Sequence, residues 1–229
     1  MITIVIPALN EAEYIGLTVQ GIHRVLTERI KADFKIIVFN DGSTDNTENV
    51  ALETAKELNN VEVHANSVRQ GLGKCFLHGL KYARQGHLVL LPGDNAYNAD
   101  SLVGFFSSIQ ENKISFGYRK NQFSNRPFYK VLISYSYNFI IKKILGFRLV
   151  DVHGPVAFPV EKLNKLKFTA PENMFQIDAI YNILKQGCEY TEVPVFINKE
   201  KGRQTKSGIS FKAFKNIFLT LWMLKFDRE

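Results

Sequence analysis

The stretch Leu88-Val-Leu-Leu-Pro-Gly-Asp94-Asn95 is the part of the sequence that most directly predicts the fold. Its apolar run predicts a buried strand of a parallel sheet, which Pro92-Gly93 then ends. Ligands of open α/β sheets bind just beyond the carboxyl ends of the strands, and this is where Asp94 lies. An acidic residue at that place can hold a metal ion or a ligand hydroxyl, or it can simply complete a turn.

Strands and helices alternate along the first half of the chain. Apolar runs predict strands at residues 2–6, 34–39, 61–65, 88–91 and 114–117. Helical patterns occupy the intervals at residues 11–26, 47–58, 71–84 and 100–110. Asn10 is the predicted cap of the first helix. Strands that alternate with helices of this length form βαβ units, so we predict an α/β fold with a Rossmann-like, mostly parallel sheet flanked by helices.

The second half of the chain contains amphipathic patterns. Aromatic and aliphatic residues recur at helical spacing near residues 128–144 and again at 211–226, with lysines between them. Such helices are typical of elements that lie in a membrane interface, and equally of helices packed on a domain. The other predicted elements are strands at 149–158 and 189–196 and a helix at 172–185.

The composition limits the class of protein. A hydrophobic fraction of 45% in 229 residues is ordinary for one folded domain. The net charge of +7 suits an anionic partner, such as phosphate groups, an anionic membrane face or nucleic acid. Cys75 and Cys188 lie far apart, which indicates a reducing compartment rather than a disulfide framework. We expect neither a signal peptide nor a membrane span, since no apolar run reaches about 18 residues.

Residues 66–74, Asn-Ser-Val-Arg-Gln-Gly-Leu-Gly-Lys, open the predicted third helix. Amides at a helix N-terminus combined with Arg69 and Lys74 favour a pyrophosphate group. The Walker pattern is absent, and no Gly-x-Gly-x-x-Gly opens the first helix. The sequence therefore disfavours P-loop enzymes and dinucleotide oxidoreductases, and it contains no nucleic-acid-binding motif.

Together these motifs resemble family 2 glycosyltransferases of the GT-A fold, most of all the dolichyl- or polyprenyl-phosphate sugar (mannose) synthases. The motifs that carry the resemblance are Ile4-Val-Ile-Pro7-Ala-Leu-Asn10-Glu11, Asn40-Asp41-Gly42-Ser43-Thr44-Asp45, the Arg69-x-Gly-Leu-Gly73 turn and Glu192-Val-Pro194-Val. The resemblance implies one domain, with a nucleotide-sugar-binding half at 1–117, an acceptor-binding half at 118–208 and a C-terminal amphipathic helix at 209–229.

The resemblance implies that the donor is a nucleoside-diphosphate sugar. The residues implied to bind it are Pro7, Asn10, Glu11, Asp41, Arg69, Gly71, Lys74, Asp94 and Asn95. Asp41 would accept hydrogen bonds from the base, since a carboxylate suits ring N–H donors, and the cations would lie near ribose or diphosphate. The alternative for Asp41 and Asp45 is the formation of a turn and a helix cap.

The metal site is where the sequence departs from the family. Relatives carry Asp-x-Asp after the fourth strand, whereas this chain has Pro92-Gly93-Asp94. A divalent cation, Mg²⁺ or Mn²⁺, would then be held through Asp94 alone, which suffices when phosphates and waters complete its shell. Two alternatives remain: arginines and lysines replace the metal ion, or the protein is an inactive relative that binds nucleotide sugars.

The implied chemistry is inverting transfer of a hexose, with Asp94, Asp178 and Arg203 as catalytic residues. Asp178 matches the family's general base, or it contacts a sugar hydroxyl. Arg119, His153 and Lys206 are the predicted acceptor-binding residues, although a lone histidine is more often structural. The amphipathic helices and basic loop favour a polyprenyl phosphate acceptor and peripheral contact with the cytoplasmic face of the cell membrane. The alternative acceptor is a saccharide hydroxyl.

Overall fold

The structure, a computed structural model, describes residues 1–121, 146–168 and 174–198, together with positions 128, 131, 132, 135, 138 and 139. Its strands form one mixed sheet: β1 Ile2–Ala8, β2 Phe34–Asp41, β3 Val61–Asn66, β4 His87–Leu90, β5 Ile114–Arg119, β6 Val156–Pro159 and β7 Tyr190–Val195. The spatial order is β3-β2-β1-β4-β6-β5-β7. Strand β6 is antiparallel to both of its neighbours, and the other strands run in one direction. Their carboxyl ends therefore lie along one edge of the sheet.

Helices cover both faces of this sheet. They are α1 Ile15–Arg24, α2 Thr47–Glu57, α3 Leu72–Tyr82, α4 Leu102–Ser107, α5 Val160–Asn164 and α6 Phe175–Lys185. On one face Val5 packs in a core with residues of α3 and α6, and on the other Ile4 packs with residues of α1 and α4. Because both faces are buried, successive strand residues are apolar, which explains the continuous apolar runs in the sequence. The predicted α/β fold and its mostly parallel sheet are confirmed.

The start of the first helix was predicted wrongly. Helix α1 begins at Ile15, and Asn10 does not cap it. Asn10 instead has a left-handed backbone with φ of +56° and binds the loop after β2. At its other end α1 continues as a π-helical segment, Val25–Ile30. The predicted helix at 100–110 is also shorter, since a 3₁₀ turn at Ala99–Ser101 precedes α4.

The predicted strand at 149–158 is wrong in its first half. Only Val156–Pro159 pairs with the sheet. Asp151 turns the chain before it, because its carboxylate accepts the backbone N–H of His153. The other elements of this half agree with the predictions: α6 lies within 172–185 and β7 within 189–196.

The predicted helix near 128–144 is helical at each position that the structure describes there. Phe128, Leu132, Tyr135 and Phe139 are all more than half exposed along one stripe of it. In the described part of the chain, no helix is both long and apolar enough to cross a bilayer. The basic loop with Arg203 and Lys206, and the amphipathic segment 209–229, lie outside the described residues.

Candidate active site

The carboxyl edge of the sheet brings together the loops that follow β1, β2 and β4. Ala8 at the end of β1 lies beside Asn40 of β2. On the other side, the carbonyl of Pro7 accepts the N–H of Gly93 at 3.1 Å. Asp41, the last residue of β2, therefore belongs to one edge together with Asn10 and Asp94, which follow β1 and β4.

Asn10 and Glu11 hold the loop after β2 in place. The Asn10 N–H donates to Ser43 Oγ at 3.0 Å, and its side-chain Oδ1 accepts the Thr44 N–H at 2.8 Å. The Glu11 N–H donates to Thr47 Oγ1 at 2.7 Å. Sequence reasoning did not anticipate these contacts, because no local pattern signals a bond between residues 33–36 positions apart.

Asp45 lies in the turn just before helix α2, which begins at Thr47. Its carboxylate accepts the Thr47 N–H at 3.0 Å and a very short hydrogen bond from the Thr47 hydroxyl. Burial would raise the pKa of Asp45, but the hydrogen bonds from Thr47 outweigh it and lower the pKa. Asp45 therefore fixes the turn that leads into α2, whereas the cap position itself is occupied by Asn46.

Asp41 is buried and anchors the loop before α3. Its Oδ1 accepts the Gln70 N–H at 2.7 Å and the Asn66 Nδ2 at 3.2 Å, and its Oδ2 accepts the Gly71 N–H at 2.9 Å. Gly71 has a φ of +95°, a conformation that glycine adopts without strain. A Cβ on Gly42 would lie 2.7 Å from the backbone nitrogen of Arg69, so the loop packs directly on Gly42.

The cations predicted on this loop lie at its surface. Arg69 is exposed, and so is Lys74, whose Nζ lies 3.3 Å from Gln70 Oε1. Both long side chains therefore have access to solvent near the loop that Asp41 anchors. Fixed amides and exposed cations together can hold a group that is polar at one end and anionic at the other.

Thr18, which sequence reasoning missed, fixes the turn after β4. This buried hydroxyl accepts the Asn95 N–H at 2.9 Å and donates toward the carbonyls of Gly93 and Tyr14. Asn95 has a left-handed φ of +52°. The Asp94 Oδ1 accepts the Ala96 N–H at 3.1 Å, which closes the turn and leaves the half-buried carboxylate at the edge of the sheet.

The donor set around Asp94 is small for a metal ion. Pro92 offers no ligand atom in its side chain, and among the residues that the structure describes no three His, Cys, Asp or Glu side chains come together around a possible ion. One carboxylate is compatible with Mg²⁺ only if phosphate oxygens and waters supply the remaining ligands. The residues present therefore fit a cation that arrives with an anionic ligand.

The segment after β7 is tied to this same turn. The Asn198 N–H donates to the carbonyl of Ala96 at 2.9 Å, and its Nδ2 donates to that of Asn95 at 2.8 Å. Ile197 exchanges two hydrogen bonds with the Asn121 side chain. The chain thus leaves the described region beside Asp94, five residues before Arg203 in the sequence.

Arg119, at the carboxyl end of β5, forms a buried ion pair. Its Nε and one terminal nitrogen bind the two oxygens of Asp151 at 2.7 and 3.0 Å. The Asn138 Nδ2 donates to the same carboxylate, and the Asn138 Oδ1 accepts the Val152 N–H. Burial raises the pKa of Asp151, but the Arg119 guanidinium outweighs it and holds that pKa at about 2.

Asp151→Asn should lower the free energy of unfolding by about 3–5 kcal/mol at neutral pH, because it removes the carboxylate that neutralises buried Arg119. Since the folded pKa of about 2 lies below the ordinary 3.8, this stabilisation is present above about pH 4 and is lost as the pH falls toward 2. Urea unfolding of both proteins at several pH values measures it, and the difference should shrink below pH 4. Glu53→Gln, which breaks an exposed pair with Lys56, is the control. Equal stability of wild type and Asp151→Asn at pH 7 contradicts the prediction.

An apolar groove of about 630 Å³ opens above this ion pair. Its walls include Tyr135, Phe139, Phe147 and Val150, and Arg148 lies at its side. A larger cleft of about 1090 Å³ lies at the opposite, amino edge of the sheet, between Met1, Asp33, Gly86 and Glu111. That cleft contains none of the predicted site residues, and ligands of such sheets bind at the carboxyl edge.

His153 belongs to the turn after Asp151, and Asp178 lies on helix α6. The His153 side chain is exposed. Asp178 is 1% exposed in the first turn of α6, and its Oδ1 accepts the Asn182 Nδ2 at 2.6 Å. Gln176 binds the carbonyl of Val152 at 3.0 Å, which joins α6 to this turn.

Comparison with solved structures identifies the fold. Glucosyl-3-phosphoglycerate synthase from Mycobacterium tuberculosis, solved with UDP, aligns with a TM-score of 0.71 at 20% identity over 98% of this chain and 79% of that one. Mannosyltransferase PcManGT from Pyrobaculum calidifontis, solved with GDP-Man and Mn²⁺, aligns with a TM-score of 0.62 at 19% identity over 89% and 58%. The fold is the GT-A fold of glycosyltransferases, as predicted.

The sequence comparison identifies the family. The profile of glycosyl transferase family 2 matches residues 3–166, and this chain belongs to that family. It is 25% identical to an undecaprenyl-phosphate mannosyltransferase from Micrococcus luteus over 215 residues, 89% of this chain and 86% of the relative. It is 29% identical to dolichyl-phosphate beta-glucosyltransferase ALG5A from Trichomonas vaginalis over 103 residues, 43% and 32% of the two chains. The predicted resemblance to polyprenyl-phosphate sugar synthases is confirmed.

Proposed function

We propose that this glycosyltransferase moves a hexose from a nucleoside-diphosphate sugar to a lipid phosphate of the polyprenyl type. The observation that carries the proposal is the apolar groove at the carboxyl edge, which has the exposed Arg148 at its side and the Arg119–Asp151 ion pair beneath it. A groove with apolar walls and an exposed arginine suits a molecule that joins a hydrocarbon chain to a phosphate. The relatives named above that act on undecaprenyl and dolichyl phosphates support the same acceptor.

The donor would lie along the loops after β1, β2 and β4. Asp41 and the Gln70 and Gly71 loop would receive the base, and the exposed Arg69 and Lys74 would neutralise the diphosphate. Asp94 is the carboxylate that would hold Mg²⁺ or Mn²⁺ against the diphosphate, as solved neighbours bind these ions together with nucleotides. A bound cation would stabilise charge on the leaving diphosphate.

The reaction would be an in-line displacement with inversion. An acceptor oxygen attacks the anomeric carbon, the bond from that carbon to the diphosphate oxygen breaks, and the nucleoside diphosphate leaves. A phosphate acceptor is already ionised near neutral pH, so its reaction needs positioning and charge neutralisation rather than a base. The burial of Asp178 and its hydrogen bond from Asn182 favour this acceptor over a hydroxyl. Arg203 and Lys206, which follow Asn198 in the sequence, are proposed to neutralise charge on the phosphates.

The exposed stripe Phe128, Leu132, Tyr135 and Phe139 supports peripheral contact with a membrane surface. Side chains of this kind enter the boundary between headgroups and acyl chains when a helix lies flat on a bilayer. Because the stripe borders the groove, the phosphate of a lipid could enter the groove while the rest of the lipid stays in the bilayer. We propose the cytoplasmic face of the cell membrane as the location.

A second candidate is transfer to a soluble hydroxyl acceptor, such as a saccharide. Solved neighbours that synthesise glucosyl- and mannosyl-3-phosphoglycerate share the fold and favour this alternative. A hydroxyl acceptor needs a general base, and Asp178 is the described carboxylate at the matching position. If the acceptor is a hydroxyl, Asp178→Asn should abolish sugar transfer. If the acceptor is a lipid phosphate, the same variant should still transfer sugar.

Transfer assays with radiolabelled UDP-glucose and GDP-mannose test the proposal. Vesicles would contain undecaprenyl phosphate, undecaprenol or neither, and 3-phosphoglycerate would be the soluble acceptor. We expect label only in the phosphorylated lipid. Val150→Asp, which puts a charge into the groove, should slow this transfer about tenfold or more without changing nucleotide affinity, and Leu17→Asp on exposed α1 surface is the control. Label in 3-phosphoglycerate alone would refute the lipid acceptor, and nucleotide binding without any transfer would favour an inactive relative.

A further inference from the structure

The Asp41 carboxylate has little capacity left for a ligand. An ionised carboxylate offers about four acceptor positions, two on each oxygen. Two donors, the Gln70 N–H and the Asn66 amide, occupy Oδ1, and the Gly71 N–H takes one position on Oδ2. One acceptor position therefore remains, and it lies on Oδ2.

The three donors are held in place by the fold. Gln70 and Gly71 donate through the backbone, so they cannot rotate away from Asp41. The close approach of the loop to Gly42 fixes its position further. Asn66 is the last residue of β3 and pairs with Asp41 in the sheet register. Oδ1 is therefore filled before any ligand arrives.

Nucleotide bases differ in the number of hydrogen bonds that they donate to such a carboxylate. The solved neighbours bind uracil or guanine nucleotides. Uracil presents a single ring N–H, which needs one acceptor position. Guanine presents a ring N–H and an amino group side by side, and this pair bonds best to both oxygens of one carboxylate. With Oδ1 filled, guanine would lose one of its two bonds and bury an unsatisfied donor.

We infer that Asp41 selects a nucleotide whose base offers one ring N–H, so that the donor is a uridine- or thymidine-diphosphate sugar rather than a guanosine one. The inference rests on the proposed function, because it assumes that the base lies against Asp41. It makes the Asn66 side chain a specificity-determining group, since Asn66 completes the filling of Oδ1.

Calorimetric titration of the full chain with UDP and GDP tests the inference. UDP should bind about tenfold or more tightly than GDP, the contribution of one hydrogen bond to a charged group. Asn66→Ala opens a position on Oδ1, so the affinity for GDP relative to UDP should rise several-fold. Asn49→Ala on α2, which removes an exposed hydrogen bond to the Asn46 side chain, is the matched control and should leave the ratio unchanged.

Each result separates this inference from the proposed function. Tighter binding of GDP than of UDP by the wild-type protein overturns the inference and leaves the glycosyltransferase proposal standing. If Asn66→Ala leaves the ratio of GDP affinity to UDP affinity unchanged, the hydrogen bond from Asn66 to Oδ1 does not set the nucleotide preference, and the inference is wrong on that point. If neither nucleotide binds, the proposed donor site itself fails, and the inference fails with it.

Discussion

Asp41→Asn should weaken nucleotide binding about 100-fold, the largest loss that we expect from a single side chain outside the reacting centre. The variant replaces one carboxylate oxygen by an amino group, which must face either the Gln70 or the Gly71 N–H. Two fixed donors then point at each other, and the loop can no longer lie against β2. Hydrogen bonds to a charged acceptor contribute about 1.5–3 kcal/mol each, which accounts for a loss of this size.

Calorimetry with the preferred nucleoside diphosphate measures this loss. The control is Asp33→Asn, the same substitution at an exposed residue just before β2. Asp33 lies at the opposite, amino edge of the sheet, so this control should retain nucleotide affinity within a few-fold. If Asp41→Asn binds nucleotide as tightly as the wild-type protein, Asp41 is only a loop anchor, and the base must lie elsewhere.

Asp94→Asn should lower the rate of sugar transfer about 1000-fold while nucleotide affinity changes by less than tenfold. The amide oxygen can still accept the Ala96 N–H, so the turn should survive. What is lost is a negative charge at the carboxyl edge, the charge that would hold a cation against the diphosphate. Removing one electrostatic contributor of a transition state costs about 10²–10³ in rate.

Single-turnover transfer rates, measured beside the control Asp100→Asn, test this prediction. Asp100 is exposed in the neighbouring 3₁₀ turn and pairs with Arg24, so the control should retain the wild-type rate. An unchanged rate in Asp94→Asn would mean that arginines and lysines neutralise the diphosphate without this carboxylate.

Pro92→Asp should raise the affinity for Mn²⁺ at least about tenfold, because it adds a second carboxylate beside Asp94. The proline nitrogen donates no hydrogen bond, so replacement removes none, and the flanking bonds of Leu91 and Gly93 to β1 remain. Mn²⁺ binding followed by electron paramagnetic resonance, with UDP present, measures the gain. Pro92→Ala is the control for loss of the proline ring. Equal affinity in both variants would place the cation away from this turn.

The sequence predicted the sheet and the edge at which the candidate site residues come together. Continuous apolar runs such as residues 88–91 identify strands that are buried on both faces, and βαβ alternation requires their carboxyl ends to share one edge. Asp41 comes two residues after the apolar run 34–39 and Asp94 three residues after the run 88–91, so the pattern alone places both at this edge.

The contacts that fix the site could not be read from the sequence. Thr18 and Asn95 lie 77 residues apart, and Asn198 and Asn95 lie 103 residues apart. No local sequence pattern predicts either contact, because polar residues at these positions are equally compatible with an exposed surface. Arg119 illustrates the same limit. From the sequence, where it is one cation among many, we predicted that it binds the acceptor, but in the fold it forms an ion pair with Asp151. Its acceptor role stays a prediction.

Asn10 shows how tertiary contacts override a local preference. Asparagine before a helical pattern is a good cap, and the prediction followed that preference. Asparagine also tolerates a left-handed backbone, and the contacts with Ser43 and Thr44 use that property instead. The helix therefore begins later, at Ile15.

Hydrogen exchange followed by mass spectrometry, with and without UDP-glucose or GDP-mannose, would locate the donor on the fold. If the donor binds at the carboxyl edge, peptides that cover residues 66–73 and 93–98 should exchange more slowly in its presence. Protection confined to residues 29–33 and 84–87, which border the cleft at the opposite edge, would instead place the nucleotide there and contradict the assignment of the site.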